Sequence, residues 1–134
     1  MPLESQHPIA RVLNVGHCGL DHPQIQRAIE DHFAAQVHAA ATADEASTML
    51  SEQRYDLVLV NRIFDRDGES GIQWIQKLKA DQRWQSLPVM LVSNYAEAQA
   101  QAVKAGAWLG FGKNALGHPD MLRCLAPFLP PRTG

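Results

Sequence analysis

Residues 55–61 read Tyr-Asp-Leu-Val-Leu-Val-Asn, and the fold follows from this stretch. Leu57 to Val60 is an unbroken apolar run that ends at a polar residue, Asn61. It is too short for a typical helix, and a Val/Leu run without polar alternation fits a strand covered on both faces. Strands of that kind belong to parallel sheets with helices on either side, where ligands and chemistry collect at the carboxyl ends of the strands. Asn61 therefore marks the end of the sheet where a site is expected.

Working back from it, Ile9 to Val15 reads as a first strand and Gly16 to Asp21 as the loop leaving it. Asp21 is read as the N-cap of a helix from about His22 to Ala35, with Pro23 in its first turn and Ile25, Ala28, Ile29, His32 and Phe33 at helical spacing. Val37 to Ala40 is a weak second strand. Thr42-Ala43-Asp44-Glu45 has the form of a capping box opening a helix that carries Ala46, Met49 and Leu50 on one face.

Working forward, a charged loop with Gly68 and Gly71 leads to a helix that carries Ile72, Ile75 and Leu78, flanked by Trp74, and ends near Asp81. Leu87 to Ser93 is a second doubly buried strand, with Pro88 near its start. Tyr95 to Ala105 should be helical and stop at Gly106. Trp108 to Lys113 is a short strand, and Pro119 to Phe128 a last amphipathic helix closed by Pro127, Pro130 and Pro131.

Five strands alternating with five helices is the pattern of a three-layer α/β domain, and right-handed crossovers favour a doubly wound, flavodoxin-like parallel sheet. We expect one domain over residues 10–129, a tail over 1–9 and another over 130–134. The chain of 134 residues can bury its own core, and a net charge of -2 gives no footing for nucleic acid or a membrane. Cys18 and Cys124 are far apart and form no C-x-x-C, which points to a reducing compartment. With neither a membrane span nor a signal peptide in view, a cytoplasmic location is expected. The topology brings Gly16, His17, Asn61, Arg62, Ser93, Asn94 and Lys113 to the strand ends.

Over roughly residues 10–129 the chain resembles the receiver domain of two-component response regulators. YDLVLVN, GIQWIQKLK, LPVMLVSN and AQAVKAGAWLGFGK carry the likeness, in the right order and spacing. The resemblance implies phosphoryl transfer from a partner histidine kinase to an aspartate, with Mg²⁺ held by an acidic pair. Ser93 and Lys113 stand where the family has its hydroxyl and its lysine. Asn61, however, stands at the phosphoacceptor position and Gly16-His17 at the acidic pair. Gly110 replaces the switch aromatic, Asn114 the proline after the lysine, and the loop after Asn61 is longer than usual.

An amide oxygen is a poor nucleophile, and Mg²⁺ needs carboxylate and phosphate oxygens. With ~1–4 kcal/mol at stake per close charge pair, the loss of the family's carboxylates should abolish useful Mg²⁺ binding. We expect no cofactor, no metal and no enzymatic activity. Lys113 should then hydrogen-bond the Asn61 side-chain oxygen and a backbone carbonyl, or else form a small anion site with Ser93, Asn94 and His17. Asp65 and Asp67, beyond the strand end, are weak alternative acceptors. His17, Cys18, Asp21 and His22 include zinc-type ligands at spacing that does not suit zinc. Residues 65–69 have the wrong glycine placement for a calcium loop, and Gly16-His17-Cys18-Gly19 lacks the third glycine of a dinucleotide fingerprint.

What remains is partner binding. The resemblance points to the surface of the fourth helix, fifth strand and fifth helix, here Tyr95, Trp108, Gly110 and Arg123, and Trp with Arg is typical of binding hot spots. Strict alternation would put Trp108 and Gly110 on one face of the fifth strand and Leu109, Phe111 and Lys113 on the other. We expect a stand-alone, phosphorylation-independent protein-binding module of a signalling pathway, whose partner is a histidine kinase, another regulator or a second copy of itself. The alternatives are a regulator phosphorylated on an unusual acid and a sensor of small anions.

Overall fold

The computed structural model describes residues 9–132. Strands β1 (Ala10–Val15), β2 (Ala35–Ala40), β3 (Leu57–Asn61), β4 (Val89–Val92) and β5 (Trp108–Phe111) form one parallel sheet in the order β2-β1-β3-β4-β5. Helices α1 (Asp21–Glu30), α2 (Ala43–Glu52), α3 (Gly71–Ala80), α4 (Ala96–Lys104) and α5 (Pro119–Leu125) alternate with them. This is the doubly wound order expected from the sequence.

The uniform hydrophobicity of β3 is explained by its central place. Val58 and Val60 join Leu13, Val15 and Leu91 under Leu50 of α2, Trp74, Ile75 and Leu78 of α3, and Ala98 and Ala102 of α4. Leu57 and Leu59 face the other way, with Val12, Met90 and Val92, toward Ile25 and Ile29 of α1 and Met121 and Leu125 of α5. Each large side chain sealed in this way contributes about 1.5–3 kcal/mol.

The starts of α2 and α3 follow their local chemistry, and the start of α1 does not. Thr42 Oγ1 accepts the Glu45 N–H at 3.2 Å, and Glu45 Oε1 accepts the Ala41 N–H at 2.9 Å, so the capping box opens α2. Ser70 does the same for α3 through the Gln73 N–H at 3.2 Å. The α1 N-cap is Leu20, without a side-chain bond, and Asp21, expected there, lies inside the first turn.

Helix α1 also ends at Glu30 rather than Ala35, and β2 begins earlier, at Ala35. The reason is tertiary: Ala34 N–H donates to Pro130 O at 2.9 Å, Arg132 N–H to His32 O at 3.2 Å, and Phe33 pairs with Pro131. Residues 130–132 therefore lie along the turn before β2, and Leu129 is buried. Helix α5 stops at Leu125, short of Phe128, just ahead of Pro127. Of the tails expected at 1–9 and 130–134, residues 1–8, 133 and 134 lie outside the described residues.

Strand β5 departs from regular pairing. Trp108 is opposite Met90 and Phe111 opposite Val92, so Leu109 and Gly110 together face Leu91, which is a β-bulge. The alternation expected for this strand is thereby overturned. Trp108 falls on the same side as Phe111, where its ring meets Phe128 at a centroid distance of 5.5 Å.

Candidate functional site

The carboxyl ends of β3, β4 and β5 meet around a crevice of about 310 Å³, lined by Asn61, Arg62, Ile63, Val92, Ser93, Asn94, Tyr95 and Lys113, while Gly16 and His17 after β1 do not line it. Arg62 lies over the Tyr95 ring at 5.2 Å and forms one wall.

Asn61 ends β3, and its amide nitrogen donates to Gly16 O at 2.9 Å and Ile63 O at 2.8 Å. Both N–H bonds are thus used on the chain itself, tying the end of β3 to the loop after β1. Gly16 has φ +84°, and a Cβ there would overlap the ring of Phe64, which is completely buried. Position 16 therefore excludes any side chain twice, by backbone conformation and by occupied space. Phe64 reaches that slot from the longer loop after β3, where Gly68 N–H donates to Phe64 O, Phe64 N–H to Glu69 O, and Asp65 N–H to Gly16 O. Asp65 and Asp67 sit on the outside of this loop, both exposed, with Asp67 Oδ1 accepting the Glu69 N–H.

Lys113 does not bond Asn61. Its ammonium pairs with Asp21 Oδ2 at 2.6 Å, a carboxylate 92 positions earlier in the chain. An ammonium prefers a carboxylate to a neutral amide, and the first turn of α1 holds Asp21 within reach. The hydrogen bond from Lys113 holds the Asp21 carboxyl below its ordinary range, against a smaller opposing effect of burial. The positive charge expected to face an anion is therefore already matched. Ser93 Oγ accepts the Tyr95 N–H at 3.1 Å within its own loop, and Asn94 Oδ1 accepts the Asn114 N–H at 3.1 Å, tying the loop after β4 to the turn after β5.

His17 is half-buried, with both ring nitrogens sealed from solvent and without a hydrogen-bond partner among the described residues. Burial, aided by the charge of Lys113, pushes its pKa down to about 3, and Asp21 opposes this only in part. His17 is neutral near pH 7. Beside it, Asn14 is 1% exposed and bonds His22 Nδ1 at 2.9 Å, and burial lowers the His22 pKa as well. Cys18 Sγ accepts the Asp21 N–H at 3.4 Å. Among the described residues, no group of three or more His, Cys, Asp or Glu is placed to hold a metal ion.

On the β5 side, Tyr95, Trp108 and Arg123 are exposed, and Arg123 pairs with Asp120 one turn away. Gly110 is half-buried and presents its backbone to Gln99. Leu109, 62% exposed, and Val103 extend the apolar surface, and neither was singled out from the sequence. Phe64, Asn14, Gln99 and the pairing role of Asp21 were missed as well. Gln99 alone carried a signal, being a polar residue between Ala98 and Ala102 on the inward face of α4.

The chain matches the family model of the response regulator receiver domain over residues 21–116, a stretch that begins after Gly16-His17 and runs past Lys113. Among solved structures, NtrX from Brucella abortus superposes with a TM-score of 0.73 at 21% identity, over 90% of this chain and 26% of that one. The N-terminal receiver domain of a Bacteroides fragilis response regulator gives 0.71 at 22% identity, over 90% and 96%. CheY4 of Vibrio cholerae gives 0.65 at 16% identity, over 78% and 85%. These likenesses are of fold, and this chain spans only about a quarter of the NtrX chain. No curated protein sequence matches. No described helix is long and apolar enough to cross a membrane. With the family model covering well over half its length, the chain belongs to the response-regulator receiver domains, the modules that meet kinases and other regulators in two-component signalling.

Proposed function

We propose that this receiver domain works without phosphorylation, as a cytoplasmic protein-binding module whose partner is a kinase, another regulator or a second copy of the chain. The observation that carries it is the Asn61 side chain, a non-nucleophilic amide whose two N–H bonds are fixed on the Gly16 and Ile63 carbonyls. Around it the donor set does not fit Mg²⁺, which requires several hard oxygen ligands. The side-chain space at position 16 is filled by the Phe64 ring, His17 offers nitrogens, and the Asp21 carboxylate is engaged by Lys113. The same ion pair argues against an anion sensor. Arg66, between Asp65 and Asp67, reaches toward Glu45 at 4.0 Å rather than pairing with either carboxylate to stabilise a transferring phosphoryl group there.

The contact surface we assign is the exposed strip of Tyr95, Val103, Trp108, Leu109 and Arg123. Incubation with acetyl phosphate and Mg²⁺ followed by intact-mass measurement is expected to leave the mass unchanged. A phosphoryl adduct on any residue overturns the proposal. Retention of a partner captured from native extract should be lost in Trp108→Ala/Arg123→Ala, and undiminished retention refutes the assigned surface.

A further inference from the structure

A bulge in a parallel ladder leaves backbone groups without their strand partners, and buried ones must be matched in some other way. In β5 the mismatch falls at Leu109-Gly110, opposite Leu91. Gln99 of α4, 8% exposed, reaches into it. Its Oε1 accepts the Gly110 N–H at 3.0 Å, and its Nε2 donates to Leu91 O at 2.9 Å and Ser93 O at 3.0 Å, with Phe111 O at 3.5 Å. A carboxamide is chemically a peptide group, so it can stand in for the missing piece of ladder with one acceptor and two donors. The backbone also closes in here: a Cβ on Gly110 would overlap the Leu91 carbonyl oxygen.

We infer that Gln99 and Gly110 form a clamp that fixes β5 in the bulged register and locks α4 to β4 and β5, so that the Trp108–Leu109 surface exists in one preformed shape. Without the clamp, regular pairing would carry Trp108 and Phe111 to opposite faces, and Trp108 would leave Phe128. The inference does not depend on whether the strand-end crevice accepts phosphate, because none of the clamp's bonds involves Asn61 or Lys113.

The clamp can be tested first in the unmodified protein, by nuclear magnetic resonance. The Gln99 side-chain N–H protons and the Gly110 amide should exchange with solvent at least about tenfold more slowly than exposed reference amides. Exchange of the Gln99 side chain at the rate of an exposed glutamine overturns the inference. In Gln99→Ala the Gly110 amide should lose about tenfold in protection while amides in β1 keep theirs, and equal protection in both proteins again overturns it.

Gln99→Glu keeps the shape and makes a pH readout available. A carboxylate there would face the Leu91 and Ser93 carbonyls, so only the protonated acid fits and the folded-state pKa must rise above the unfolded value of about 4.3. The variant should therefore lie closest to the parent below about pH 4, where the acid supplies one of the two donors, and fall progressively behind it as pH rises from the unfolded value through that folded-state pKa. A gap in melting temperature that does not change with pH shows that Gln99 merely fills space.

Discussion

The strand-end crevice and the β5 edge use their side chains in opposite ways. In the crevice nearly every polar group is turned back on the chain: Asn61 on Gly16 and Ile63, Lys113 on Asp21, Ser93 on Tyr95, Asn94 on Asn114. Along the β5 edge, large apolar groups are left in solvent, with Trp108 59% and Leu109 62% exposed. A site for chemistry needs unsatisfied polar groups, and a docking surface needs unsatisfied apolar area. The crevice is built as structure and the edge is built for contact, which implies that substitutions in the two regions should fail in different assays.

The sharpest test of the crevice is Phe64→Ala, which empties the slot against Gly16 and should cost about 3–5 kcal/mol in urea unfolding. A cost below about 1 kcal/mol would mean that the slot is not close-packed. Next comes acid sensitivity. The folded pKa of His17, about 3, lies below its ordinary 6.5. Between those values the unfolded chain binds the extra proton, so the stability is complete above pH 6.5 and is lost as pH falls through the window. The slope should approach ~1.4 kcal/mol per pH unit, and His17→Asn should flatten it. If the two proteins titrate alike, His17 is not buried as described.

A smaller loss is expected from Asp21→Asn. The ion pair is about one-third exposed on each side, so removing the carboxylate should cost only about 0.5–1 kcal/mol, less in high salt. It should also free Lys113, which makes this variant the right background in which to look for anion binding by thermal shift. The smallest stability effect belongs to the edge. Trp108→Ala should change unfolding by about 0.5 kcal/mol or less yet weaken partner retention. The reverse pattern, a large stability loss with binding intact, would erase the distinction between the two regions.

Much of the molecule was legible in advance because its causes are local. Leu57 to Val60 announced a central strand, Thr42 to Glu45 a capping box, and Gly106, with φ +112°, the end of α4. The convergence of Asn61, Ser93, Asn94 and Lys113 followed from strand order alone. What failed shares a different origin. The helix expected to run to Ala35 is cut short by residues 130–132, and Asp21 serves Lys113 rather than its own helix end.

The sequence by itself determined the sheet, its order and the absence of a carboxylate at positions 16, 17 and 61, because periodicity and residue identity are written along the chain. Only the tertiary structure decided that Phe64 fills the corner at Gly16, that Asp21 matches the charge of Lys113, and that Gln99 mends a bulge in β5. Each of these depends on which loops meet in space, and no residue's neighbours in sequence carry that information.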